Sequence, residues 1–561
     1  MSPNNCFYLE SADMDSVFES RLYGYAYTDS ALILGSAGMN DFMRSFPSSD
    51  LPSEGRFAGI FVRQDDVVIK TDVTGQEVLY FYRAGPRDWA VSNSFMLLVS
   101  EVSRRVNLTF YVPAALNFHL KEGKHIGEQL VSHKTLAEEV RIVPAGHEII
   151  VDRSTGDASV RASGFFQRHS LGHEEGYEEV LLRYLERGAG LIDAFGRCGL
   201  RFNLNLSGGY DSRLVLALSL LGEHRESVSV SSLPSKPDDF AVASALCRRF
   251  DLSLNSPSRQ SPVPTLGGVE SIRLYLLSCA GTYLPFYPVN RHSPSDKPEV
   301  SLTGDQPSGV GFLAGKAKFN GGISKIASDI GDALAERPYG GAVREDFLSL
   351  FSDLEVEPDN PAAPLAFYAG VRSRHHSGRS WYKSLGSQIL CTPLVHSDML
   401  GLDIRNALQG HLSVSAAYAS KRRFFADAFS AIGGWALEEP FETPERAFEA
   451  DMLDNSPFRG SVKIVPKRLE VFGSVSSMYE RPRGDMYGID IDVWQGNSEV
   501  KRNLDVVFKR AKTASLGDVF TQADIAAAEK EVGTDRGLSH QSRRLAHVVA
   551  VDTVKSVMDS S

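Results

Sequence analysis

The chain has 561 residues, too many for one compact core, and two or three domains are expected. Hydrophobic residues make up 42% and charged residues 23%, with a net charge of −11, the balance of a soluble globular protein without the dense basic face that a nucleic-acid backbone demands. Five scattered cysteines (Cys6, Cys198, Cys247, Cys279, Cys391) with no C-x-x-C pair argue against a disulfide framework or a zinc site and for a reducing compartment.

The start, Met1-Ser2-Pro3-Asn4-Asn5, has no basic stretch leading into an apolar one, and the longest apolar run, 214–221, is far shorter than a bilayer. A cytoplasmic protein with neither membrane nor nucleic-acid partner is the expectation. Residues 1–165 read as β-rich. Short runs of β-branched and aromatic residues at 58–62, 66–71, 78–83 and 147–151 alternate with Gly, Asp and Pro turn signals, the pattern of packed antiparallel sheets. Helices are expected near 94–103 and 113–120, and the polar run 161–175 reads as a linker.

From 176 to 455 the character changes. Helical periodicity over 177–195 is followed by a strand at 200–206, a helix at 212–221, a strand at 227–232 and a helix at 238–250, an alternation that predicts a parallel α/β sheet. Beyond 360 the chain reads as mainly helical. The final part, 456–561, is expected to be a Pro/Gly/Arg/Ser-rich loop over 456–486 with a helical segment at 521–558.

The chemistry concentrates in Asn205-Leu206-Ser207-Gly208-Gly209-Tyr210-Asp211-Ser212-Arg213. An apolar strand runs into two glycines and then into a helix. Glycines let backbone N–H groups approach a phosphate, and the helix N-terminus adds unpaired donors and a positive dipole end. Ser207 and Ser212 can donate to phosphate oxygens. Asp211 cannot face a phosphate alone and implies a bridging Mg²⁺. The plainer alternative is a Gly-Gly turn with a serine cap.

The string Ser-Gly-Gly-x-Asp-Ser resembles the pyrophosphatase loop of ATP-dependent adenylating enzymes. Gly55-Arg56-Phe57-Ala58-Gly59, Thr71-Asp72-Val73-Thr74-Gly75, Leu79-Tyr80-Phe81-Tyr82 and Ile142-Val143-Pro144-Ala145-Gly146-His147 resemble the glutaminase-type domain of class B asparagine synthetases. Ser235-Lys236-Pro237-Asp238-Asp239, Leu302-Thr303-Gly304-Asp305 and Thr392-Pro393-Leu394 are similar to that family's adenine-ribose, second ATP-site and substrate-pocket segments. The resemblance implies an N-terminal Ntn-hydrolase-like sandwich of antiparallel sheets and a C-terminal doubly wound ATP-pyrophosphatase domain with added helices. It implies ATP and Mg²⁺ as cofactors, with Ser207, Gly208, Gly209, Asp211, Ser212, Asp239 and Gly304 at the nucleotide and Asp211 and Asp305 at the metal. Lys421 and Arg446 are expected at the pyrophosphate, and His396, in Pro393-Leu394-Val395-His396, matches the Pro-x-x-His ending of lasso-peptide cyclases.

The departures matter as much. The family's nucleophilic cysteine directly after Met1 is replaced by Ser2, so the glutaminase-like domain is expected to be inactive, as in β-lactam synthetases and lasso-peptide cyclases. Ser308 stands where an acidic metal ligand is expected and Ile389 where the family has a glutamate, with Gln388 beside it. The implied activity is an AMP-forming ligase joining a carboxylate to an amine on a small molecule or peptide, within one molecule or between two, alongside a pathway protein partner. The alternatives are a non-catalytic relative that keeps the loop without the chemistry, and an amidotransferase acting on a sugar acid or amino acid. His375 and His376 are alternative bases or plain structural histidines. Trp381 and Tyr382 read as core.

Overall fold

The computed structural model describes residues 6–73, 76–121, 126–162, 176–255, 268–287, 299–305, 322–360, 362–380, 388–401, 414–458, 463–479, 500–532 and 542–560, without the side chains of 15, 380, 388, 414–421 and 501. The protein is mixed α/β, with two antiparallel sheets, one parallel sheet and many helices. Among the described residues no helix is long and apolar enough to cross a membrane.

The first ten strands are β1 (Tyr8–Glu10), β2 (Arg21–Tyr27), β3 (Ala31–Leu34), β4 (Glu54–Val62), β5 (Asp66–Thr71), β6 (Tyr80–Gly85), β7 (Asp88–Ser92), β8 (Val140–Ile142), β9 (His147–Asp152) and β10 (Ala158–Ala162). They form a four-stranded sheet, β1-β7-β6-β8, and most of a seven-stranded one, β10-β9-β5-β4-β2-β3. Period-two alternation decides the packing. Phe81 and Val91 of the small sheet meet Ala58, Ile60, Val67 and Ile69 of the large one in a shared core. The alternate residues of β4 and β5, Phe57, Phe61 and Val68, face away and pack on Met39 and Phe42 of the helix Gly35–Ser45. Tyr80, Tyr82 and Ala90, on the outer side of the small sheet, pack on helices Phe95–Ser103, Gly268–Cys279 and Arg543–Asp559.

The next five strands are β11 (Arg201–Asn205), β12 (Val228–Ser231), β13 (Ser253–Leu254), β14 (Glu299–Leu302) and β15 (Gln388–Cys391). All pair in parallel, in the order β13-β12-β11-β14-β15. Helix Tyr177–Arg197 covers this sheet through Leu181, Leu185 and Phe195, and helix Tyr210–Leu221 through Leu214, Val215 and Leu218.

Two features differ from the sequence expectation. The stretch 456–486, expected to be loop, contributes β16 (Glu470–Gly473), which adds to the sandwich by pairing in parallel with β3. Its alternating pattern spans only four residues, too short to outweigh the surrounding Gly, Ser and Pro. The region beyond 360, expected to be mainly helical, supplies β15 as the edge of the parallel sheet.

The antiparallel sandwich meets the helix Ser373–Ser380 across a layer of buried charge. Glu77 accepts from Arg379 Nη2 at 3.2 Å and faces Arg56 Nε at 3.6 Å, all three side chains no more than 3% exposed. Arg56 donates to Gly378 O, Arg374 to Val143 O and Glu77 O, and Arg379 to Ser278 O. Asp72, in the Thr71–Gly75 string, holds the turn by accepting the N–H groups of Gln76 and Glu77.

Candidate functional site

In the parallel sheet β11 lies centrally, with β12 and β13 on one side and β14 and β15 on the other. The strand order therefore reverses between β11 and β14, and such a reversal leaves a crevice at the carboxyl ends of the two strands. Residues Leu206–Gly209 emerge from β11 at that point and lead into the helix starting at Tyr210; Thr303–Asp305 emerge from β14 beside them. The two turns touch. A Cβ added to Gly304 would lie 2.9 Å from Ser212 N and 3.0 Å from Asp211 Cβ. The glycines of the first turn serve the same purpose, close approach; neither Gly208 nor Gly209 has a positive φ. A Cβ on Gly208 would lie 2.5 Å from Glu442 Cβ, and one on Gly209 3.2 Å from Arg446 Nη1.

The first turn is internally bonded. Ser207 N–H donates to Ser212 Oγ at 3.1 Å, and the two hydroxyls share a 3.0 Å hydrogen bond. Gly208 N–H donates to Asp239 Oδ1 at 2.7 Å, and Gly209 N–H to Ser207 Oγ at 3.4 Å. Asp239 belongs to the first turn of helix Pro237–Phe250, where an acid favours the positive dipole end. The backbone donors expected to stand open for phosphate are thus occupied by the chain's own oxygens, which an anion would have to displace.

Arg446 does reach the loop. Its backbone carbonyl accepts from Tyr210 Oη at 2.5 Å, its guanidinium sits 5.6 Å from the Tyr210 ring, and its Nε meets Glu442 Oε1 at 2.8 Å. Two residues at this crevice were not singled out from sequence. Glu442 packs on Gly208, and its Oε2 is buried without a hydrogen-bond partner. Arg213 is fully buried and donates to the carbonyls of Ala436, Glu439 and Pro440 at 2.6–2.8 Å, which fastens the segment carrying Glu442 onto the loop helix. Burial pulls the Arg213 pKa down to about 10, opposed by Glu442 and Glu439. The i,i+4 spacing of Glu442 and Arg446 was the available sequence signal for the first; a buried arginine leaves none.

Asp305 accepts from Thr303 Oγ1 at 3.0 Å, so its carboxylate caps its own turn. Among the described residues no group of three or more His, Cys, Asp or Glu side chains is arranged to hold a metal ion. Asp211 and Asp305 would hold Mg²⁺ only together with phosphate oxygens and water, a donor set that Mg²⁺ accepts. Lys421 lies in helix Val414–Ile432 with its side chain outside the described residues, as are Ser2, Ser308, Trp381, Tyr382 and the side chain of Gln388.

The three histidines sit in different surroundings. His375 is buried, and desolvation together with Arg374 and Arg379 holds its pKa well below the usual range. His376 is exposed and bonds Tyr283 Oη at 2.9 Å. His396 lies between Asp398 Oδ2 at 3.3 Å and Glu54 Oε1 at 3.7 Å, and it lines a cavity that none of the residues 207–212 lines. Ile389 is a buried strand residue, and burial pushes the Cys6 thiol up to about 12, which makes it a poor nucleophile.

No protein-family profile and no curated protein sequence matches the chain.

Proposed function

We propose that the chain is an ATP-dependent, AMP-forming C–N ligase of the asparagine synthetase-like kind. In this reading the antiparallel sandwich is an Ntn-type domain without glutaminase activity, and the parallel sheet is an ATP-pyrophosphatase domain. The observation that carries the reading is the contact of Ser207–Ser212 with Thr303–Asp305 at the reversal of strand order, the crevice where sheets of this kind bind their ligands. A substrate carboxylate oxygen attacks the α-phosphorus of ATP and pyrophosphate leaves. A substrate amine then attacks the acyl carbon, loses a proton, and AMP leaves. Ser207, Ser212 and the helix N-terminus receive the pyrophosphate, with Gly208 N–H released from Asp239. Arg446 and Lys421 neutralise charge that develops on the departing phosphates. Mg²⁺, when bound with the nucleotide, supplies further neutralisation beside Asp211 and Asp305. Both substrates are small molecules or peptides, the setting is cytoplasmic, and a pathway protein is a further partner.

Carboxylate-dependent exchange of labelled pyrophosphate into ATP tests the reading. Native protein is expected to exchange with at least one carboxylate of a screened set. Asp211→Ala should abolish exchange without lowering the unfolding midpoint, and unchanged exchange in that variant would falsify the assignment. A second reading, binding without catalysis, draws on the filled loop donors, on Asp305 bonded to Thr303 and on Glu442 against Gly208. It predicts saturable Mg-ATP binding with no exchange for any carboxylate.

A further inference from the structure

After β15 the chain runs through Pro393 and Leu394 to His396, which forms one wall of a cavity of about 370 Å³. The other walls come from the end of β2, the helix Gly35–Ser45 and the segment 46–54 that follows it, together with Arg187. That volume suits a small organic molecule.

The charges around it are unequal. Arg187 gives Nη1 to Asp398 at 2.6 Å and pairs through Nη2 with Asp29. Asp398 also takes Arg183 at 3.0 Å and faces His396. Arg187 therefore already meets two carboxylates. Acids outnumber it, since Asp29, Asp50 and Glu54 all line the cavity. Glu54 is 7% exposed; its Oε1 accepts Ser397 N–H at 3.3 Å and faces His396, while its Oε2 is buried with no hydrogen-bond partner. Asp50 adds a second acid at the rim.

The remaining walls are aromatic. Phe42 and Phe46 stand 5.3 Å apart, and Phe46 is 38% exposed beside the opening. Tyr27 closes the inner side. Burial and the neighbouring Glu54 keep its phenol well above the ordinary range, so it stays neutral. An excess of carboxylates next to aromatic faces favours a cationic head on an apolar body, through a charge-assisted hydrogen bond and cation–π attraction.

We propose that this cavity is a binding site for a small organic cation, a primary ammonium or guanidinium carried on an aromatic or alkyl body, with its head at Glu54 and its body against Phe42 and Phe46. The site stands apart from the nucleotide crevice and does not depend on the ligase reading.

Calorimetric titration of the full chain with 2-phenylethylamine, and with phenylacetate as a probe of the same size and opposite charge, tests it. Saturable one-to-one binding of the amine and none of phenylacetate is expected. Glu54→Gln should weaken the amine about tenfold or more. Because Glu54 is buried, Phe46→Ala and Asp50→Asn, at exposed positions, provide a second measure and should each weaken it by about threefold or more. Asp211→Ala should bind the amine as the native protein does. Phenylacetate binding as tightly as the amine overturns the proposal. So does the absence of saturable amine binding by native protein at millimolar amine, or amine binding unchanged in both Glu54→Gln and Phe46→Ala. Loss of amine binding in Asp211→Ala overturns the separate placement.

Discussion

The crevice at the carboxyl ends of β11 and β14 and the arginine layer between the sandwich and the helix Ser373–Ser380 are both dense in polar groups, but they are satisfied over different ranges of chain. In the crevice, Ser207, Ser212, Gly208 and Asp239 bond one another across 5 to 31 residues, through hydrogen bonds that are only part-buried. In the layer, Arg56 reaches Gly378 across 322 residues and Arg379 reaches Glu77 across 302, all of it away from water. A short-range, part-buried set of hydrogen bonds can be exchanged for a ligand at small cost. A buried ionic layer cannot, because removing one partner strands a charge in a medium that solvates it poorly.

The layer should therefore give the largest effect. Glu77→Ala leaves Arg379 and Arg56 without their buried counter-charge, and a loss of about 3–5 kcal/mol in denaturant unfolding is expected. A loss under about 1 kcal/mol, the size typical of exposed pairs, would mean that the layer is hydrated and no different in kind from the crevice.

Acid should act next, through buried histidines. Burial outweighs the Asp353 carboxylate beside His133 and pulls its pKa from 6.5 to about 4, while His375 and His547 are also held well below the usual range by desolvation. The unfolded chain takes up protons as pH falls through 6.5, whereas the folded His133 resists until near pH 4. The stability present above pH 6.5 is thus lost progressively across that window, on the order of 3 kcal/mol for His133 alone. His133→Gln should flatten the pH dependence of the unfolding free energy between pH 6.5 and 4, and an unchanged slope would exclude His133 as its source.

Substitutions at the crevice should act on ligand more than on fold. Gly304→Ala places a methyl group 2.9–3.0 Å from the backbone and Cβ atoms of Asp211 and Ser212. The two turns must separate, with about 1–3 kcal/mol of destabilisation and a larger proportional loss of Mg-ATP binding. Retained binding would show that the contact between the turns is not part of the nucleotide site. The smallest change in stability is expected for Arg446→Ala. Its side chain is 40% exposed and its partner Glu442 lies four residues away, so stability should fall by less than about 1 kcal/mol. Pyrophosphate exchange should nevertheless drop, and equal exchange in both proteins would remove Arg446 from the site.

Local strings were legible without a structure. The strand-turn-helix around Ser207–Ser212 was predicted because β11 is a short buried apolar run, the two glycines punctuate it, and the helix that follows is rich in Leu and Ala. The strands at 58–62, 66–71 and 147–151 were legible for the same kind of reason, since a half-buried antiparallel strand writes its period into the sequence. The strands β14, β15 and β16 are four residues each and lacked the predicted helices on both sides that let the equally short β12 be read.

What the amino-acid order determined by itself is the strand-turn-helix of the loop at β11 and the alternation that makes one half of the chain antiparallel and the other parallel, because both depend on residues within about one element of each other. The strand order of the parallel sheet, the seat of Asp239 and Arg446 at the loop, the turning of Asp305 to Thr303, and the delivery of His396 to a cavity beside Glu54 were decided only by the tertiary structure. Each of these is a meeting of groups remote in sequence or a choice among nearby partners. Burial and hydrogen-bond satisfaction select among such arrangements only once the layers have packed.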